Sequence, residues 1–430
     1  MLDAATILVG LGLGVAVGLA LTAESRSQLR APGGIAMFLG SLTGLVGTYL
    51  ALVMVLLVSR IPAIERVLGQ DGLLRWHRRL APWPISLITA HALLLTVAYA
   101  EVAHTGPLHE LGTLITAYPN MLTATVGLGL MLAIGIVSIR AIRSRLRREA
   151  WWAFHLFMYL ALALAFAHEI ALGPSFVGHH LTQLVWSVIW ASTAGLVIVY
   201  RFGLPVVRTL RHGLEVAEVR SEAPDVVSIV CKGRHLERLA ISGGQFFEWR
   251  FLKRGMWWQA HPFTVSARPR PPYVRLTVKA IGDFSSALAK LEPGTRIAIE
   301  GPYGAFTVHA RRRKKIALVA GGIGVTAVRA LLEDLPKGTD PVVVLRASRR
   351  EDLVLATEVA ELVRHRKGRV CELVGPREKV PLDQIADLVP DLCERDVYVA
   401  GPEGFVEAVL PVLHRFGVPS DAIHYEVYSL

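Results

Sequence analysis

Read for apolar runs uninterrupted by charge, the chain divides into two unlike halves. A helix needs about 20 apolar residues to cross roughly 30 Å of hydrocarbon, and six stretches before residue 205 have that character: 4–22, 36–58, 78–100, 120–138, 151–172 and 182–202. They predict six membrane-spanning helices. The first lacks the basic leading region and small-residue cleavage site of a signal peptide, so it too is read as a span. After Pro205 the pattern changes to short β-branched runs, turn residues and helical segments. The runs 226–230, 245–251, 273–281 and 296–299 predict strands of a small antiparallel barrel. From Arg311 onward, wholly apolar strands at 316–320, 342–345 and 397–400 are each followed by a helical pattern. That is the signature of a parallel, doubly wound α/β sheet. The expected domains are therefore 1–205, 206–310 and 311–430, with the basic run 311–315 as linker.

Composition sharpens this division. Of 430 residues 53% are hydrophobic and 19% charged, which excludes a disordered or wholly water-exposed chain. Lys and Arg outnumber Asp and Glu by 46 to 35, an excess that would suggest nucleic acid if it were clustered on a soluble fold. It is not so clustered. Arg60, Arg66, Arg75, Arg78 and Arg79 fall between the second and third spans, and Arg140, Arg143, Arg145, Arg147 and Arg148 follow the fourth. The alternate connections carry only Arg26 and Arg30, then none in 101–118 or 173–181. By the positive-inside rule both termini and everything after the sixth span face the cytoplasm of a plasma (inner) membrane protein embedded in lipid. Nucleic acid is excluded as a partner. The three cysteines, Cys231, Cys371 and Cys393, lack metal-ligand spacing.

Ionisable residues inside a span are costly and point to function. His77 and His91 are 14 residues apart in the third span, and His155 and His168 are 13 apart in the fifth. Both intervals are close to four whole turns, so each helix presents two histidines on nearly one face, about 20 Å apart along the axis. Because the two spans run the same way, His77 is level with His155 and His91 with His168. Two imidazoles at each of two depths predict two bis-histidine b-type haem sites. His104, His109, His179 and His180 fall in outer connections and read as solvated surface.

Four further segments lie in the second half. They are His261-Pro262-Phe263-Thr264, Gly282-Asp283-Phe284-Ser285-Ser286, Gly321-Gly322-Ile323-Gly324-Val325-Thr326 and Gly401-Pro402-Glu403-Gly404. With the histidine pairs they resemble, over nearly the whole length, the membrane flavocytochromes that include NADPH oxidases and ferric reductases. The resemblance implies a six-helix haem-binding bundle followed by a ferredoxin-reductase-like module, an antiparallel FAD barrel and an α/β nucleotide domain. It implies that Phe263 packs on the flavin ring with Thr264 near the flavin's reactive nitrogen, His261 and Pro262 completing that segment, and that Gly282, Phe284, Ser285 and Ser286 hold the FAD pyrophosphate region. Phe284 stands where many relatives have Trp. Gly321, Gly322, Gly324 and Thr326 would bind the nicotinamide nucleotide at a helix N-terminus, and Gly401 and Pro402 would lie near the nicotinamide. Ala400 replaces a cysteine common in the family, which removes any thiol role there. Tyr428, in preference to Tyr425, is the aromatic expected to cover the flavin.

After the second strand of the last domain an NADH site would offer a carboxylate to the ribose 2′-hydroxyl. Arg346, Ser348, Arg349 and Arg350 stand there instead, which favours NADPH, with NADH as the alternative. Hydride carries two electrons and haem iron accepts one at a time, so flavin must stand between them. The expected activity is electron transfer from cytoplasmic NADPH through FAD and two b-type haems to an outer acceptor, O2 giving superoxide. A ferric or other metal-chelate reductase is the first alternative, and a nucleotide-gated transporter the distant one. Leu95 occupies a position where some animal oxidases carry a further histidine. No protein partner is legible.

Overall fold

The computed structural model describes residues 2–23, 26–336 and 338–428. The chain forms two compact units, Met1–Phe202 and Gly203–Leu430.

All six predicted apolar segments are helical. In order they give α1 (Leu2–Ala23), α2 (Gly34–Leu57), α3 (Gln70–Leu80) running into α4 (Pro82–Ala103), α5 (Pro107–Ala117), α6 (Met121–Val137), α7 (Arg148–His155) running into α8 (Phe157–Leu172), and α9 (His180–Leu196). Among the described residues four helices are long and apolar enough to cross a membrane: Gly34–Leu57, Gly72–Ala103, Glu149–Leu172 and His180–His212. A fifth span exists if the pair α5 and α6, bent by 114°, counts as one. The stretch expected at 120–138 is thus a helix of 17 residues. The connection 101–118 is itself largely helical, because Pro107 starts α5 at a position that needs no N–H donor.

Small residues bring these helices together. A Cβ at Gly40, Gly44 or Gly47 of α2 would meet Leu95, His91 or Ile88 of α4 at 2.6, 2.5 and 2.9 Å. A Cβ at Gly127 of α6 would meet the Ala161 carbonyl of α8 at 2.7 Å. Without a hydrophobic drive between helices in lipid, such close approach supplies the packing energy. Between the helices, Ala16, Leu45, Tyr49, Phe176 and Trp186 form one buried cluster, and Ala51, Met131, Ala161 and Leu162 another.

In the second unit six strands, β1 (Leu214–Ala223), β2 (Val226–Lys232), β3 (Phe246–Phe251), β4 (His261–Thr264), β5 (Tyr273–Lys279) and β6 (Arg296–Tyr303), are ordered β4-β3-β6-β1-β2-β5. All pairings are antiparallel, and a bridge from Val265 to Leu276 joins the two ends into a barrel. Burial alternates along β3 and β6 with period two, sending Trp249, Phe251, Ile297 and Ile299 inward.

Five parallel strands follow: β7 (Ile316–Gly321), β8 (Pro341–Ala347), β9 (Arg369–Val374), β10 (Asp396–Pro402) and β11 (Ile423–Tyr428), ordered β11-β10-β7-β8-β9. Both faces are covered. Leu318, Ala320, Val343 and Leu345 pack on the side of α10 (Val325–Asp334) and α11 (Ala356–Arg364). Ala317, Val319, Val342 and Val344 pack on the side of α12 (Glu403–Arg415). The strand order reverses between β7 and β10, and ligands of open α/β sheets bind at such a switch point beyond the strands' carboxyl ends. Gly321 and Gly401 stand at those ends.

Candidate functional site

The membrane unit brings its four intraspan histidines into two pairs. The ring centres of His77 and His155 are 6.2 Å apart, and those of His91 and His168 are also 6.2 Å apart. His77 and His155 lie in α3 and α7, ahead of the joints at Ala81 and Leu156, while His91 and His168 lie in α4 and α8. Helix–helix packing sets the pairing, since Gly44 seats His91 directly against α2.

Each imidazole is held through Nδ1. That atom of His91 lies 2.8 Å from the Gly40 carbonyl oxygen, and that of His77 lies 3.3 Å from the Met54 carbonyl oxygen. His168 Nδ1 contacts the Ala165 carbonyl, and His155 Nδ1 lies 3.4 Å from Ser138 Oγ. A hydrogen donated from Nδ1 leaves the lone pair on Nε2, which is the tautomer a metal needs. Among the described residues no group of three or more His, Cys, Asp or Glu is placed to hold a bare ion. Pairs suffice for haem, whose porphyrin supplies the other four ligands. Two imidazoles bound at about 2 Å on opposite sides of one iron have ring centres about 6 Å apart, so the residues present fit the group.

Glu169, the acid next to His168, joins three helices. Its Oε1 accepts from Thr48 Oγ1 of α2 at 3.0 Å, and its Oε2 accepts from Trp186 Nε1 of α9 at 2.8 Å. It is bound to neutral donors on neighbouring helices and not to a second acid.

The second unit assembles the other predicted segments. His261 of β4 and Phe284 of the turn 282–287 stack with ring centres 3.8 Å apart and planes at 26°, and the Phe263 plane lies within 17° of that of Phe284. Two motifs some 20 residues apart thus form one aromatic cluster. Ser285 Oγ accepts the N–H groups of Ile281 and Gly282 at 2.9 and 3.0 Å, and Ser286 N donates to the Gly282 carbonyl. These bonds shape the turn, and Gly282 has open space above it.

Three residues meet where hydride transfer is expected. Tyr428 Oη donates to Thr264 Oγ1 at 3.2 Å and lies 3.4 Å from Thr326 Oγ1. β11 places Tyr428 opposite Pro402, while Tyr425 is 41% exposed and points elsewhere. Burial pushes the Tyr428 phenol well above its ordinary pKa, so it stays protonated. A Cβ at Gly324 would strike the Ala400 carbonyl, and Phe405 covers both Gly321 and Gly401. Only glycine lets these two turns approach each other.

The four residues expected at the 2′-phosphate separate into two kinds. Arg346 is 8% exposed, with Nη1 donating to the backbone carbonyls of Ala347 and Leu373, the latter at 3.2 Å. A guanidinium spent on its own sheet serves the fold. Ser348, Arg349 and Arg350 are exposed beyond β8, where Arg349 pairs with Glu351 and Asp352, and Arg350 with Glu372.

Sequence reasoning did not single out Gly44, Ser138 or Trp151, all at the histidine pairs. A glycine run at spacings of four and three, Gly40, Gly44 and Gly47, was the available signal for the first; Trp151, one turn before His155, was the signal for the third.

Comparison with known proteins agrees with this division. Residues 43–166 match the ferric reductase like transmembrane component, and residues 211–307 match an FAD-binding domain. An NADPH oxidoreductase of Mycobacterium tuberculosis is 29% identical over 223 residues, 49% of this chain and 58% of that protein. NADH-cytochrome b5 reductase 2 of Neurospora crassa is 28% identical over 167 residues, 34% of this chain and 49% of that protein. The chain spans about half the length of these curated relatives. A flavohemoglobin structure from Malassezia yamatoensis covers 89% of this chain and 98% of its own at 18% identity, with a TM-score of 0.47. A ferric-reductase-like membrane domain followed by a flavin- and nicotinamide-binding reductase module is the domain architecture of the NADPH oxidase and ferric reductase family, and this chain shares that architecture.

Proposed function

We propose that the protein moves electrons from cytoplasmic NADPH through FAD and two b-type haems to O2 on the outer side of the plasma membrane, giving superoxide. The observation that carries this reading is the pair of 6.2 Å imidazole couples, each with its Nδ1 atoms engaged. When bound, the haems would supply one-electron steps at two depths in a layer that excludes free charge, and the flavin would convert hydride to single electrons. The chain's residues do the rest. His77 and His155 would hold the inner iron, and His91 and His168 the outer one.

In the reductase module the Gly321–Gly324 turn would receive the nucleotide pyrophosphate at the start of α10, with Arg349 and Arg350 beside the 2′-phosphate. Thr264 would set a hydroxyl next to the flavin's reactive nitrogen. Tyr428, hydrogen-bonded to Thr264, would occupy the flavin face until nicotinamide displaces it. The arginine-rich connections support an orientation with the module in the cytoplasm. A metal-chelate reductase using the same groups is the second reading, favoured by the ferric-reductase description of residues 43–166.

The test is haem per flavin in the purified chain and in four single His→Ala variants. Replacing His91 or His168 is expected to remove about one haem of two, and replacing His77 or His155 the other. Unchanged haem content in all four, or a colourless wild type, overturns the assignment.

A further inference from the structure

Among the described residues, a side-chain cluster braces one histidine of the inner couple and has no counterpart at the outer one. α6 ends at Val137, and the chain there folds back over His155 of α7. Trp151, one turn before His155, stacks on its imidazole with ring centres 4.9 Å apart and planes at 27°. The Trp151 indole donates from Nε1 to Ser138 Oγ at 3.2 Å, and that same oxygen lies 3.4 Å from His155 Nδ1. Arg143 Cζ sits over the same indole, 4.2 Å from the ring centre. Arg143 and His155 both pack on Trp151, and Ser138 ties the indole and the imidazole together.

The hydrogen bonding of this cluster follows from ligation. Iron ligation through Nε2 requires Nδ1 to carry hydrogen, so His155 donates to Ser138 Oγ. That oxygen accepts twice, from Trp151 and from His155, as a hydroxyl with two lone pairs can. The indole face stops the imidazole from rotating about its bond to the chain, and the shared hydroxyl receives the Nδ1 hydrogen of the tautomer that ligation requires. His77, His91 and His168 each engage a backbone carbonyl instead. Outer hydrogen bonds and packing of this kind orient a metal-binding imidazole and tune its basicity.

We infer that Ser138 and Trp151 are positioning residues that set the plane of His155 and hold its Nδ1 hydrogen, as a ligand of the inner haem. The inference rests on the haem assignment above, and its test separates the two. Full-length Ser138→Ala, Ser138→Thr and Trp151→Leu variants are purified beside wild type and His155→Ala. Haem per flavin, the low-spin ferric EPR spectrum and the two midpoint potentials from a redox titration are then measured. Loss of a haem in His155→Ala, with two in wild type, establishes the assignment on its own; its absence defeats that assignment and not the positioning argument alone.

Given two haems in wild type, Ser138→Ala and Trp151→Leu are expected to shift the g-values and the midpoint potential of one haem while leaving the other component where it was. Ser138→Thr, which keeps the hydroxyl, is expected to restore both readouts. Should Ser138→Ala shed the inner haem altogether, retention in Ser138→Thr supports the inference and equal loss overturns it. Spectra and potentials that superimpose on wild type in both Ser138→Ala and Trp151→Leu overturn it as well.

Discussion

A single added methyl group distinguishes residues that tolerate change in this membrane unit from those that do not. At Gly44 the new Cβ would stand 2.5 Å from His91 Nδ1, well inside van der Waals contact, and the imidazole has no room to retreat because its Nδ1 is bonded to the Gly40 carbonyl. Gly44→Ala is therefore expected to lower the content of one haem by half or more while flavin content stays at the wild-type level. At Gly129 of the same unit a Cβ meets nothing within 4 Å, so Gly129→Ala serves as the control with two haems kept. Residue geometry also divides the arginines after β8. If Arg349 or Arg350 meets a 2′-phosphate, its Ala variant loses a charge-assisted contact of about 1.5 to 3 kcal/mol, roughly ten- to a hundredfold in NADPH affinity, with NADH little affected. Arg346→Ala, by contrast, strips two backbone carbonyls of their donor and should impair both nucleotides alike. Steady-state kinetics with each nucleotide resolves the two patterns, and equal losses for Arg349→Ala and Arg350→Ala would reduce that loop to surface.

At the scale of elements, the α/β domain is clasped where β7 and β10 begin. Arg395, 3% exposed, donates to the Ile316 and Asp340 carbonyls at 3.1 and 2.7 Å and to Asp391 Oδ1 at 2.7 Å. Lys315 adds a second bond to Asp391 at 2.9 Å. The Arg395 guanidinium, with Lys315, lowers the Asp391 carboxyl to about 2. A carboxyl held below its ordinary value near 4 adds stability above that value, and the contribution is lost as pH falls from about 4 to about 2. Partial exposure cuts its worth to about 1 kcal/mol, or roughly 2 to 4 °C in a module of this size. Thermal release of flavin, followed at pH 5 and pH 3, should show a larger drop for wild type than for Asp391→Asn; equal drops would show that the clasp contributes nothing. The same sheet explains which elements were legible in the sequence. β7, β8 and β10 are central and buried on both faces, so they read as unbroken apolar runs. β9 and β11 lie at the edges and mix exposed and half-buried positions, which hides them. β4 escapes notice because it is four residues long and contains Pro262, and β1 because charged residues line its outer face. The histidine pairs were legible because helical periodicity is a local property. Ser138 and Trp151 were not, since their partnership depends on how the chain folds back after α6, and the inward aim of Arg346 depends on which face of β8 its neighbour covers.

For the whole molecule, charge favours the proposed acceptor, O2, over an anionic metal chelate. The outer connections carry only Arg26 and Arg30, both in the first, and no Lys or Arg in 101–118 or 173–181, so they offer little positive field to steer an anionic ferric chelate. His104, His109, His179 and His180 lie in or beside them, yet among the described residues no three metal-binding side chains converge there. α5, which forms most of the first connection, is apolar, with Leu108 and Leu111 exposed. Leu95, one turn beyond His91, is pressed against Gly40, so the approach to that histidine from α4 is hydrocarbon and not imidazole. A small neutral molecule crosses such a surface without being gathered, whereas a hydrated anion must shed water to do so. O2 is thus the expected acceptor. NADPH-supported signal lost on adding superoxide dismutase should exceed ferric reduction measured without oxygen, and it should fall at least tenfold in His91→Ala. Superoxide that survives loss of the outer haem would have to come from flavin, and ferric reduction that is faster and alone depends on His91 would make the protein a metal-chelate reductase; either result ends the oxidase reading.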